Sequence, residues 1–181
     1  MKRGTLAAML LSLWMANGLL QAADFPAHVQ NELPEAQRLG EGGYHWFGLK
    51  IYHAVLWVDK SGYQPIHRGS GKLILDLRYT RSLNGERIAE SSIDEIRNLG
   101  LGTPVQHTEW LGMLKALFPD VHEGTQISGV YLPAQGARFY LNGRVLGEIN
   151  DAEFAQAFFS IWLDERTSAS KLRSQLLDQR S

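Results

Sequence analysis

The chain of 181 residues contains no cysteine. That absence removes disulfides, thiolate nucleophiles and cysteine metal sites together, so a fold built from it is held by its core alone. It also removes the residue that a lipoprotein would acylate. Charge is scarce in excess: 18 Lys and Arg stand against 19 Asp and Glu, with no block of like charge, no repeat and no low-complexity tract. Nucleic acid is therefore not an expected partner. The histidines, His28, His45, His53, His67, His107 and His122, are scattered without a metal-ligand spacing on one helix, so no metal and no cofactor is expected. Ser91, Ser92 and Ser160 lack a Gly-x-Ser-x-Gly context, which disfavours a serine hydrolase.

What is present begins with residues 1–23, which read as an export signal. Lys2 and Arg3 precede an apolar segment from Leu6 to Leu20, and the small residues Ala22 and Ala23 follow. A retained anchor is the rival reading, but Ser12, Asn17 and Gly18 interrupt the run, which falls short of the ~20 residues of a spanning helix. The expectation is cleavage near Ala22 or Ala23 and a periplasmic product with no stable membrane span. Losing Lys2 and Arg3 leaves 16 basic against 19 acidic residues, a net charge of −3. Residues 24–181 suffice for one domain and leave no room for a second.

The stretch from Tyr44 to Val58 is the longest apolar run after the leader, rich in aromatic and β-branched residues. It is expected to form one central strand with a bend at Gly48, with Leu49, Ile51, Val55 and Trp57 on one face and Tyr52, Ala54, Leu56 and Val58 on the other. Both faces are apolar enough to be covered. The preceding segment, Asp24 to Leu39, with Pro26 and Pro34, reads as an extended lead-in with a weak edge strand. Beyond a polar loop, Lys72 to Thr80 alternates: Leu73, Leu75, Leu77 and Tyr79 share one face, while Lys72, Asp76, Arg78 and Thr80 make the other face wet or pocket-lining.

From Ser82 the period becomes helical, with Ile88, Ser92, Ile96 and Leu99 on one stripe. A second helix starts at Thr103-Pro104-Val105-Gln106, an N-cap threonine with a capping-box glutamine, and stops at Phe118 before Pro119. Three strands follow, over 125–132, 137–141 and 144–149; Asn142-Gly143 between the last two suits a type I′ turn. Asn150 or Asp151 caps a helix carrying Phe154, Phe158 and Ile161 inward, and Thr167 or Ser168 starts a last one. The sum is an α+β fold, an antiparallel sheet of five to seven strands with helices over one face.

These residues also carry a resemblance. Gly40-x-Gly42, Phe47-Gly48-Leu49-Lys50-Ile51-Tyr52-x-Ala54-x-Leu56-Trp57, Leu75-x-Leu77-x-Tyr79, Phe118-Pro119-Asp120-Val121-x-x-Gly124, Phe139-x-x-Asn142-Gly143-x-x-x-Gly147-x-Ile149-x-Asp151-x-x-Phe154 and Phe158-Phe159-x-Ile161-Trp162-Leu163 follow one another in order. The set resembles the exported bacterial branch of the chalcone isomerase-like family. The resemblance implies an open-faced β-sandwich, a curved antiparallel sheet with helices on one side and a ligand cleft between. The family holds ring-closing isomerases and non-catalytic fatty-acid binders, and fold does not choose between them.

The enzymes, as the resemblance implies, use an arginine before the central strand, a threonine on it, and a tyrosine and a lysine at the start of the following helix. Here Gly43, Tyr44 and His45 stand in the first place, no hydroxyl stands near Phe47-Gly48, and Asn84 and Arg87 stand in the last. The expectation is thus a non-catalytic binder of a small apolar or amphipathic ligand such as a fatty acid. An intramolecular lyase acting on a phenolic enone is the alternative. Candidate ligand contacts are Tyr52, Tyr79, Arg78, Arg81, Asn84 and Arg87, the arginines as charge-assisted donors; Trp46 and Trp57 are further candidates for an apolar lining.

Overall fold

The computed structural model describes residues 25–66 and 71–179. The expected leader, residues 1–23, and the centre of the polar loop, residues 67–70, lie outside them. The elements run α1 (Ala27–Glu32), β1 (Gln37–Trp46), β2 (Leu49–Val58), β3 (Leu73–Tyr79), α2 (Gly85–Asn98), α3 (Pro104–Leu117), β4 (Gln126–Leu132), β5 (Gly136–Leu141), β6 (Arg144–Ile149), α4 (Ala152–Leu163) and α5 (Ser170–Leu176). The strands form one antiparallel six-stranded sheet in chain order. Only the α2–α3 excursion interrupts this meander, and the result is the α+β layer fold expected.

Local chemistry sets several boundaries. Thr103 and Gln106 form the full capping box of α3, with Pro104 in its first turn. Asp151 caps α4 by accepting from the backbone of Glu153 and Phe154, both at 2.9 Å, and its other oxygen accepts from Trp110 Nε1 at 2.8 Å, which ties α3 to the start of α4. Asn142 and Gly143 take positive φ, 49° and 79°, as a type I′ turn requires.

The run from Tyr44 to Val58 is not one strand. It is a hairpin, β1 and β2, folded at Phe47-Gly48 with φ of 47° and 77°. The sequence conceals the turn because an aromatic residue fills a position that asparagine or glycine usually takes. The lead-in does end in an edge strand, the start of β1, but it is not extended throughout: before that strand stands α1, which has no side-chain N-cap.

That short helix covers the second face of the sheet. Val29 and Leu33 pack there with Trp57, Ile74, Val130 and Leu132. Beneath them Asp76 accepts from Trp57 Nε1 at 2.8 Å and lies 3.2 Å from His28 Nε2, which also meets Ser128 Oγ at 2.9 Å. Glu32 bonds to Tyr140, Arg138 and Lys72. Asp76 is thus buried rather than wet, and on β3 only Arg78 is exposed. The larger core lies on the opposite face, where Leu56, Leu75, Leu77 and Phe139 meet Ile93 and Ile96 of α2, Phe154 and Phe158 of α4 and Leu172 and Leu176 of α5.

Candidate binding cleft

A cleft of about 590 Å³ opens inside the larger core, between the sheet and the helices α2 and α4. Its floor is formed by alternate residues of adjacent strands: Tyr52 of β2, Leu75, Leu77 and Tyr79 of β3, Ile127 of β4 and Phe139 of β5. Period-two alternation explains the set, since these positions point to one face. Ile88 and Ser92 of α2 and Phe158, Phe159 and Trp162 of α4 complete the walls. Gly129 makes room for Phe159, whose ring would stand 3.2 Å from any Cβ there. Tyr44, Trp46, Arg87, Asp94 and Glu95 border the opening.

Polar chemistry inside is restricted to neutral groups. The Tyr52 hydroxyl accepts from Trp162 Nε1 at 2.9 Å, and its ring meets that of Tyr79 edge-on at 5.8 Å. Burial drives the phenol of Tyr52 far above its ordinary value and does the same to that of Tyr79, so both stay protonated at any physiological pH. Tyr79 is 4 % exposed, yet among the described residues its hydroxyl has no hydrogen-bond partner. Ser92 spends its hydroxyl on the Ile88 carbonyl at 2.8 Å. The lining contains no histidine and no lysine, and its carboxylates, Asp94 and Glu95, stand at the opening. What it offers is apolar volume, two phenolic donors and, at the rim, one guanidinium beside the carboxylates of Asp94 and Glu95.

The sequence candidates separate accordingly. Tyr52, Tyr79 and Arg87 line the cleft, and so does Trp46. Arg78 projects from the opposite face of β3, paired with His53, and Trp57 is on that face too. Arg81, half-buried at the end of β3, is outside the lining. Asn84 caps α2, accepting from Arg87 N and donating to Asp120. Tyr44, stacked on Tyr52 at 5.1 Å, and the acidic pair Asp94 and Glu95 join the lining without having been singled out. Their helical spacing looked like a plain solvated face.

The family model for chalcone isomerase-like proteins matches residues 22–178. The chain belongs to the chalcone isomerase-like family. An uncharacterised protein of Haemophilus influenzae is 33 % identical over 141 residues, which cover 78 % of this chain and 67 % of that one. A crystal structure of a fatty-acid binding protein of Arabidopsis thaliana superposes with a TM-score of 0.62 at 14 % identity, covering 80 % of this chain and 88 % of the plant chain. At that identity the likeness speaks to the fold. The fold that this chalcone isomerase-like chain shares with it is an open antiparallel sheet with helices.

Proposed function

We propose that the cleft binds a small amphipathic carboxylate such as a fatty acid, without catalysis. The observation that carries this reading is the division of the cleft into a deep apolar interior with only neutral phenols and a charged rim, where Arg87 stands with Asp94, paired to Arg97, and Glu95, bonded to Ser168. An alkyl chain buried against Leu75, Leu77, Phe139 and Phe158 gains ~0.8 kcal/mol per methylene. The interior has no cation to compensate a buried carboxylate, so the acid group belongs at the rim, where the exposed Arg87 guanidinium turns to it from its 3.4 Å ion pair with Glu90. Cleft volume and lining are those of small-molecule sites in general. The resemblance of the fold to a plant fatty-acid binder supports the same ligand class.

Titration with a fluorescent fatty acid tests it. Saturable binding is expected, with Arg87→Ala weakening the acid several-fold and leaving the matching fatty alcohol unchanged. Absence of saturable binding overturns the reading. Chalcone absorbance followed with the same protein separates the isomerase alternative, since cyclisation well above the buffer rate would place the chain among the enzymes. The leader-like residues 1–23 support a periplasmic site of action, and fractionation should recover a product shortened by 22 or 23 residues.

A further inference from the structure

The sheet contains two turns of two residues in which both residues take positive φ. In one, Asn142-Gly143, the residues are those the turn prefers; in the other, Phe47-Gly48, a phenylalanine holds φ of 47°. A bulky side chain in the left-handed region is strained, and strain retained at the surface directs attention to function. Phe47 is also 86 % exposed, beside Trp46 at 60 % and Leu49 at 52 %. Trp46 and Phe47 pack edge-on at 4.9 Å, and Trp46 stands opposite Leu49 in the register. The three form one apolar tip that stands exposed among the described residues. Among the described residues, the other large exposed apolar residues, Val105, Met113 and Val145, sit apart on α3 and β6.

Charge identifies the partner. Residues 42–58 contain no acid, and neither do residues 77–85. Lys50 pairs with His45 across the hairpin, Arg78 with His53, and Thr80 bonds to the Lys50 carbonyl at 2.8 Å, which brings Arg81 to the same end of the sheet. Among the described residues, Lys50, Arg78 and Arg81 form no ion pair. Of the acids around this end of the sheet, Glu41 is engaged with Arg38 and His53, Asp94 with Arg97, Glu95 with Ser168 and Asp120 with Asn84, while Glu123 is exposed beside His122.

We propose that the Trp46-Phe47-Gly48-Leu49 tip docks on an anionic lipid surface, its aromatic residues entering the headgroup boundary and Lys50, Arg78 and Arg81 facing lipid phosphates. Tryptophan and phenylalanine beside lysine and arginine are the composition of interfacial anchors. Because Trp46 also borders the cleft, docking presents the opening to the bilayer, and an amphiphile passes between the two without crossing bulk water. The docking itself stands on the hairpin alone and does not require that the cleft hold a fatty acid.

The test uses the protein as the producing cell delivers it, with vesicles of phosphatidylglycerol and phosphatidylcholine against phosphatidylcholine alone. Wild type should sediment with the anionic vesicles and release as salt rises. Brominated lipid should quench a component of tryptophan emission that Trp46→Phe removes. Phe47→Asn installs the residue the turn prefers, so it should fold at least as stably as wild type and yet bind roughly tenfold more weakly. Equal vesicle binding by wild type and Phe47→Asn, or no quenching assignable to Trp46, overturns the proposal. So does self-association that Phe47→Asn abolishes without any vesicle binding, an outcome that gives the tip to a second copy of the chain.

Discussion

Trp162 Nε1 donates to the phenol oxygen of Tyr52 across 2.9 Å, joining α4 to β2 at the wall of the cleft. Since the oxygen accepts from the indole, its own proton is left to face elsewhere, and the cleft is the open space beside it. Removing that oxygen by Tyr52→Phe strands a buried N–H, so a loss of about 1–3 kcal/mol in urea unfolding is expected. Tyr79→Phe abandons no protein partner and should fall within about 0.5 kcal/mol of wild type. Equal losses for the two variants would contradict this assignment.

The anchor of α1 carries a pH dependence. Burial pushes the pKa of Glu32 up, but hydrogen bonds from Tyr140, Arg138 and Lys72 together outweigh it and hold the carboxyl below its ordinary value of 4.5. A depressed folded value contributes stability above the unfolded one and loses it as pH falls through the folded one. The melting temperature should therefore hold steady down to about pH 5 and decline below about 4.5. Glu32→Gln should melt lower at neutral pH and decline less in acid.

A close approach of α5 to β1 depends on a missing side chain. A Cβ at Gly40 would stand 2.2 Å from the Gln175 carbonyl oxygen and 2.6 Å from that of Leu176, backbone atoms that cannot step aside. Gly40→Ala should cost roughly 1–3 kcal/mol or more. Gly43→Ala meets only the side chains of His45 and Lys50, at 3.0 Å and beyond, and should be nearly neutral in the same thermal unfolding experiment.

Gly143 holds φ of 79°, where a β-branched residue is strained. Gly143→Val should cost about 1–3 kcal/mol, read as a lowered urea midpoint at unchanged slope. An unaltered midpoint would mean that the β5–β6 turn relaxes freely.

The sequence by itself determined whatever depends on a few neighbouring residues. The Thr103–Gln106 box, the Asp151 cap, the stop before Pro119 and the Asn142-Gly143 turn are legible because a cap or turn is satisfied within four residues of itself. Period two on β3 was equally plain for the core face. Tertiary structure decided the rest. Phe47 forms a turn only because the pairing of β1 with β2 forces it there, and α1 exists through bonds from Glu32 to Lys72, Arg138 and Tyr140, which lie 40, 106 and 108 residues away. Distance in the chain also settled which arginine reaches the cleft. Arg78 and Arg87 look alike in sequence, but β3 turns the first to the face under α1 while α2 carries the second to the rim, and no local signal encodes where a helix will lie over a sheet.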